Sequence, residues 1–596
     1  MECVPSAAGL PHALAQVQLS DLIVLACGFV MMVYGLGNYG LFEPHEGHFA
    51  GIGREMLLSG DWVVPHLNGS PYLNKPPLMY WSTGVSQWIF GMNEFAARFP
   101  AALYAWLAVV VAWAWARELW GAVAGRVAAA MLASSVGWFM FSHQVMIDAL
   151  LSTLLFAALY YFWRALRKPE SKWRWAVFYI TVALALLAKG PIGAAFPAAI
   201  ALLFIWRRKR WVLLKQAGLW WGVPLMLIPV AVWALVVEHQ CRGFLYHIIV
   251  NEHILRIADK REPPDYHVSQ CGVLGYLLIT IIWCAPWSAL LPQTVRFAWL
   301  NGHGPAADET DQGRRDAILL MALGAALPVL IFLPIPSRLI YYSLPTIAPL
   351  SILAAGWWCS EDRRRWSAAA WVFFLVVGAA IFSAGWWVPG VIAELPDIKA
   401  APKLLAIIPS MAWLLGAAFL ACGLLRALKF RQAAVLAFFF VVAFAAVRSI
   451  EGFVAYQDVR SSRNMVRELD PQLGSDCLWV MEGSFELGAS AGTAYYLSPD
   501  AQGQTRFVKV MTDDDHRPQP TFGEAPRDYG LTHPELQKLW DGPEPVVFVT
   551  DLMRREFESK DERILLPNNA GEPLAQMWGF RRVYANAAAR TRLKLP

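Results

Sequence analysis

Long apolar runs, repeated down most of the chain, constrain this sequence more than any other feature. Apolar windows fall near 21–39, 97–116, 122–141, 145–163, 175–189, 191–206, 217–237, 271–291, 317–334, 339–358, 366–387, 403–425 and 432–449. A helix of about 20 residues crosses the hydrocarbon core of a bilayer, so the pattern predicts an α-helical polytopic membrane protein with thirteen spans. Only 16% of the 596 residues are charged, against about 25% in soluble domains, which removes soluble bundles and soluble enzymes. The net charge of +5 comes from short Lys/Arg clusters between apolar runs, not from a basic stripe with interleaved aromatics. The bilayer is therefore the expected partner, and nucleic acid is not. No repeat of fixed period points to an inverted-repeat transporter or a solenoid. Eight cysteines show no CxxC and no metal-ligand spacing, and Cys241 and Cys271 are the two that could bridge.

The basic clusters set a topology. Arg117/Arg126, Arg164 to Arg174, Arg207 to Lys215, Arg296 with Arg314/Arg315, Arg363 to Arg365 and Arg426 to Arg431 all fall in alternate connections, which the positive-inside rule makes cytoplasmic. The 40–96 loop, the 238–270 loop, the Pro334–Arg338 turn and everything after Ile450 then face outward. The N-terminus is inside, and its first 20 residues lack Lys and Arg, which argues against a cleaved secretory signal. From about 455 the chain turns polar, with β-like runs at Cys477–Met481 and Pro545–Thr550 and a helix-like stretch at Ser462–Leu469. The expected division is a transmembrane domain, 1–454, and a small exported α/β domain, 455–596.

Chemistry concentrates in the outward segments. Residues 45–59 read as a helix on the membrane surface, with Phe49, Ile52, Met56 and Leu57 on one side and Pro44 just before its start. His45 and Glu46 then sit at the helix N-terminus, where the dipole favours anions. Glu46 is either a first-turn carboxylate answering that dipole or an active-site group. Asp148 follows Ser142-His143-Gln144 at the mouth of the fourth span, a depth at which ionisable groups are rare and serve a site or a partner. Lys189-Gly190-Pro191 puts a lone Lys beside a helix-breaking pair between two spans; snorkelling accounts for the Lys alone. The second loop carries His247, Asn251, Glu252, His253, Arg256 and His267, with Glu252 and Arg256 spaced to pair on one helix face. Ser337-Arg338-Leu339-Ile340-Tyr341-Tyr342 places an Arg and two Tyr at headgroup depth, suited to a lipid phosphate or to an aromatic belt.

Together these segments resemble the GT-C class of integral-membrane glycosyltransferases, in the bacterial branch similar to the lipid A aminoarabinose transferase and, more distantly, the protein O-mannosyltransferases. The matching residues are Pro44-His45-Glu46 with Phe49-Ala50, Arg54-Glu55-Met56-Leu57, Gly60-Asp61-Trp62, Tyr72-Leu73-Asn74-Lys75-Pro76-Pro77 with Tyr80-Trp81, Asp148, Lys189-Gly190, Glu252-His253 with Arg256, and Arg338 with Tyr342. The resemblance covers roughly 40–350 in order. It implies transfer of a sugar from a polyprenyl-phosphate donor to an envelope acceptor on the outer face of the inner membrane. His45, Glu46 and Asp148 would be catalytic, Lys75, Lys189, Arg338 and Tyr342 would hold the donor phosphate and lipid, and Arg54, Glu252, His253 and Arg256 are further outer-loop candidates. Three positions depart from the family. His45 stands where an Asp is usual, Asn74 where a Glu that resembles a metal contact often stands, and Arg338 where the family has Lys. A divalent metal is therefore left open. A lipid-linked-sugar transporter or flippase, or a non-catalytic binding relative, are the alternatives. Because a hydroxyl acceptor needs a base and a phosphate acceptor does not, His45 is compatible with either.

Overall fold

The computed structural model describes residues 17–595 except 44, 257, 259, 263–270, 305, 337, 361–366, 483–489, 502–504, 512–521, 524–529, 552–565, 575–577 and 580. Pro44, Ser337, His267 and the basic cluster at 363–365 lie outside the described residues.

Every apolar window of the sequence coincides with a helix or a helix pair. The chain enters the bundle at α1 (Leu19–Val33), then forms α2 (His45–Ser59), a hairpin of β1 (His66–Leu67) and β2 (Ser70–Pro71), and α3 (Leu78–Phe90). It continues through α4 (Glu94–Trp120), α5 (Ala122–Ala133), α6 (Val136–Ser142), α7 (Ile147–Leu166), α8 (Lys172–Lys189), α9 (Ile192–Arg208) and α10 (Leu219–Gln240). A π-helical stretch, His247–Leu255, precedes α11 (Val273–Trp283), α12 (Leu291–Gly302), α13 (Glu309–Phe332), α14 (Ile347–Cys359), α15 (Ser367–Ile392), α16 (Leu404–Ala427) and α17 (Arg431–Arg460). Among the described residues seven helices are long and apolar enough to cross a membrane, or up to nine when α5–α6, bent by 65°, and α11 with the segment ending at Gly302, bent by 100°, each count as one. The thirteen-span expectation exceeds this number because α1, α9 and α14 are short, and α8 carries Lys172, Arg174 and Lys189.

Polar caps and small residues explain the packing. The Asn93 side chain accepts from the Ala96 N–H at 2.9 Å to start α4, and Asp308 accepts from Asp311 at 2.7 Å to start α13, each satisfying a donor that the helix leaves open. Ala105, Ala108, Ala112 and Ala116 recur along one face of α4 and are buried, which lets neighbouring helices approach closely. Trp115, Trp138 and Trp163 fill the larger gaps of the same core.

Beyond α17 the chain builds α18 (Arg463–Leu473), β3 (Leu478–Glu482), α19 (Ser490–Tyr496), β4 (Lys509–Met511), α20 (His533–Trp540), β5 (Val546–Asp551), β6 (Arg581–Ala585) and α21 (Ala587–Arg592). The strands order as β4-β3-β5-β6, with β3 parallel to both neighbours and β6 antiparallel to β5. Alternate residues serve two cores: Trp479, Met481, Val547 and Val549 pack with α18 and α21, while Val480, Phe548 and Tyr584 pack with α20. A sheet covered on both faces requires apolar runs without polar alternation, as in these strands. The expected boundary at 454/455 falls inside α17, which runs to Arg460 before the chain enters the sheet.

The helix expected at 45–59 is α2, but it does not lie open on a bilayer surface. From Glu46 to Met56 every residue but Phe49 is buried, because α3 covers one side and α19 of the tail covers the other. A Cβ on Gly47 would stand 2.7 Å from the Gly492 backbone nitrogen, so this crossing needs glycine on α2.

Candidate active site

Six segments converge on a cavity of about 90 Å³: the start of α2, the loop before α3 that carries Lys75, the start of α7, the turn between α8 and α9, the π-helical stretch, and the 339–342 segment before α14. His45, Lys75, Asp148, Lys189, Glu252, His253, Arg256, Tyr341 and Tyr342 line it. A larger cavity, about 570 Å³ among α11 to α14, is almost entirely apolar and shares no residue with it.

Glu252 is the hub of the positive side. Its carboxylate receives Lys75 Nζ at 2.7 Å, Arg256 at 3.2 Å and Arg261 at 2.5 Å. Burial alone would raise its pKa, but Lys75, Arg261 and Arg256 outweigh it and hold the carboxyl below the usual carboxylate range. Burial likewise lowers the Lys75 pKa, against the attraction of Glu252. The Asn251 amide fixes the geometry by donating to the Glu262 carbonyl at 2.6 Å and accepting from the Glu262 N–H at 2.9 Å, which delivers Arg261 to the cluster.

Asp148, in the first turn of α7, accepts from Lys189 Nζ at 2.6 Å. The same ammonium lies 4.9 Å from the Tyr342 ring centroid and 5.7 Å from that of Tyr341, a cation–π pair that holds Lys189 at the cavity wall. The Lys-Gly-Pro signal resolves sterically. Gly190 has φ +66°, and a Cβ there would meet the His253 ring at 3.1 Å. His253 is held by a bond between Nδ1 and the Ile248 carbonyl at 2.5 Å, and burial lowers its pKa.

His45 differs from the charged groups of the cavity, Lys75, Asp148, Lys189, Glu252 and Arg256, each of which is ion-paired. Its ring meets Tyr341 edge-on at 6.4 Å, yet among the described residues the imidazole makes no hydrogen bond or ion pair. Burial depresses its pKa, with Asp148 and Glu46 opposing and Arg460 assisting, so it stands neutral at pH 7.

Three expected site residues are turned to other work. Both oxygens of Glu46 are bound by Arg98, at 2.8 Å each, and by the backbone N–H groups of Phe42 and Val145 at 2.7 and 2.9 Å. Arg98 spends its remaining donors on the carbonyls of Leu36, Tyr39 and Gly40. Glu46 is thus a saturated carboxylate outside the cavity lining. Arg338 donates to the Phe332, Leu333 and Cys271 carbonyls at 3.3, 2.9 and 3.0 Å, capping α13 instead of facing the cavity. Arg54 reaches the Ala494 carbonyl of α19 at 3.3 Å. Cys241 and Cys271 are free thiols.

Arg98 and Arg261 were not singled out from sequence. Arg98 carried a usable signal, an ionisable group inside an apolar span; Arg261 had only its place in a charged loop. The donors near Asn74 do not suit a divalent metal. The amide is neutral and its oxygen accepts from His247 Nε2 at 2.8 Å. Burial, with Arg261 and Lys75, takes the His247 imidazole down to about 4, and cations that oppose protonation also oppose a metal ion. Among the described residues no group of three or more His, Cys, Asp or Glu gathers.

Residues 74–235 match the family model of dolichyl-phosphate-mannose-protein mannosyltransferases. The chain superposes on the ArnT of Cupriavidus metallidurans crystallised with undecaprenyl phosphate, with TM-score 0.76 and 20% identity over 95% of this chain and 98% of that one. The same enzyme in its apo state gives 0.74. The fold is therefore that of a GT-C membrane glycosyltransferase. Within that class the chain resembles the undecaprenyl phosphate-α-4-amino-4-deoxy-L-arabinose arabinosyl transferases. That of Pseudomonas paraeruginosa is 30% identical over 56% of this chain and 59% of its own length. That of Edwardsiella ictaluri is 31% identical over 53% and 55%. The aligned stretch thus spans little more than half of these relatives. The chain is a multi-pass protein of the bacterial inner membrane.

Proposed function

We propose that this protein transfers a sugar from a polyprenyl-phosphate donor, of the undecaprenyl-phosphate type, to an envelope acceptor. The observation that carries this reading is the asymmetry of the cavity: Lys75, Arg256 and Lys189 stand at its wall, backed by Arg261, while a neutral His45, bound by none of the described residues, stands in the same space. Glycosyl transfer needs cations where the phosphate departs, because its negative charge grows as the bond to the anomeric carbon breaks. Lys75 supplies a point charge and Arg256 a planar fork for that phosphate, and Tyr341 and Tyr342 border the lipid side. Asp148 holds the Lys189 ammonium in place for the same charge. Glu46 acts through position: by fixing the first turn of α2 it fixes His45. The basic connections opposite the site support an outward-facing cavity, with the tail beyond about 455 on the same exported side.

Purified full-length protein incubated with undecaprenyl-phosphate sugars and an extract of envelope lipids should release undecaprenyl phosphate. Lys75→Ala and Arg256→Ala should each lower that release by about 10²–10³-fold, the scale for losing one charge-stabilising donor. No release across a broad donor panel would overturn the reading.

A further inference from the structure

Phe522 is the one large apolar side chain between Thr512 and Asp528, in an otherwise polar stretch of the tail. Its ring lies edge-on to His247 with centroids 5.1 Å apart. It also packs against an apolar cluster that joins Val64 and Leu73 of the first outer loop to Phe244 and Ile248 of the second. Lys75 follows Leu73 by two positions, and Glu252 follows Ile248 by four. Phe522 therefore sits where the two loops that build the positive side of the cavity meet.

That junction works against electrostatics. Lys75, Arg256 and Arg261 crowd round the one carboxylate of Glu252, and three like charges so placed repel one another. Polar links across the junction include Lys75 with Glu252 at 2.7 Å and His247 with Asn74 at 2.8 Å. The second link depends on how the His247 ring is set. The Asn251 amide gives one hydrogen to the Glu262 carbonyl at 2.6 Å and directs its other at His247 Nδ1, 3.4 Å away. Nδ1 is thus the acceptor, and Nε2 carries the ring hydrogen that Asn74 receives. Phe522 packs on this same imidazole. The tail grips the first loop a second time, where both amide atoms of Asn68 bond the Val508 backbone at 2.7 and 2.9 Å.

Resting on the transferase reading above, we infer that Phe522 is a positioning residue for the donor phosphate: a wedge from the tail that holds the two outer loops together, so that Lys75, Arg256 and Arg261 are gathered before the phosphate arrives. Apolar packing supplies the attraction that the cations themselves oppose. A cluster assembled in advance also spends none of the phosphate's binding energy on its own assembly. Through this side chain the tail serves the donor side of the reaction.

The test measures binding of two lipids to purified full-length protein: undecaprenyl phosphate, and undecaprenol, the same chain without the phosphate. Phe522→Ala should weaken undecaprenyl phosphate by about 10- to 100-fold, the scale for a displaced binding group, and leave undecaprenol within about twofold. Phe522→Leu keeps apolar bulk but loses the ring against His247. It should show a smaller loss with the same selectivity, and it carries the test if Phe522→Ala does not accumulate. In a Lys75→Ala background, adding Phe522→Ala should cost little more, because the pair that the wedge holds is already gone. Unchanged phosphate binding in the Phe522 variants, equal losses for the two lipids, or additive losses in the double variant would overturn the inference and leave the transferase reading standing. Wild-type protein that binds undecaprenyl phosphate no better than undecaprenol, and releases none from sugar donors, would remove both.

Discussion

Two buried glutamates, 206 positions apart in the numbering from Glu46 to Glu252, show how the same ingredients serve opposite ends. Glu46 meets one guanidinium, Arg98, in a two-point pair, and backbone groups take every remaining direction. Glu252 meets three cations at once. The first knot is neutral and closed, so it offers an incoming anion nothing and fixes the start of α2. The second is one carboxylate short of neutrality twice over, so it organises its cations while leaving charge for a phosphate. The ratio of charges, and not their presence or burial, separates scaffold from site.

The largest expected effect breaks the neutral knot. Arg98→Ala leaves Glu46 buried without its partner and should destabilise the protein by about 3–5 kcal/mol, read as a lowered unfolding midpoint in detergent or failure to accumulate. Next, Lys75→Ala should cost about 2.7–4 kcal/mol in transition-state stabilisation, with a much smaller change in unfolding midpoint, because Glu252 keeps Arg256 and Arg261. Equal destabilisation by the two substitutions would erase the distinction between the clusters.

A third effect reaches His45 from the tail. Arg581 on β6 pairs with Glu43, two residues before His45, and Glu43 also accepts from the Ser462 hydroxyl at 2.8 Å. His45 thus sits between a clamp from the bundle, Arg98–Glu46, and one from the tail sheet. Arg581→Ala should cost about 1.5–3 kcal/mol, the scale of a charged hydrogen bond, and should lower kcat while sparing donor affinity. Loss of donor binding with unchanged kcat would contradict the positional role.

The smallest effect is a pH dependence at the tail contact. Glu55 accepts from the N–H groups of Asn68 and Gly69 at 2.6 and 3.0 Å, and Asn68 clasps Val508 through both its amide atoms at 2.7 and 2.9 Å. Burial pushes the Glu55 carboxyl up to about 7, against those backbone donors and Arg54. Because the folded value lies above the ordinary value of 4.5, this group's contribution to stability is full below pH 4.5 and is lost as pH rises through about 7. Glu55→Gln should flatten the unfolding midpoint across that interval, and an unchanged slope would remove the assignment.

Hydrophobic length and Lys/Arg placement depend on local composition, so the helical bundle, the order of its spans and the polar tail were legible in the sequence. The strands at Cys477–Met481 and Pro545–Thr550 appeared within one residue of β3 and β5 for the same reason. The motif spacing also led to Lys75, Asp148, Lys189, Glu252, Arg256 and Tyr342, which the fold gathers at one cavity. Sequence could not divide charged residues between scaffold and site, because that depends on partners 41 to 177 positions away, as in Asp148 with Lys189 and Lys75 with Glu252. Glu46 and Arg338 carry the right chemistry for the cavity, but Arg98 in one case and three backbone carbonyls in the other satisfy them first. The tail's grip on α2 was equally hidden, since Gly47 reads as an ordinary helix residue until Gly492 is brought against it. Local pattern fixes which segments are helices and which side of a membrane they favour; only tertiary packing decides which buried charges are already answered and which remain for a substrate.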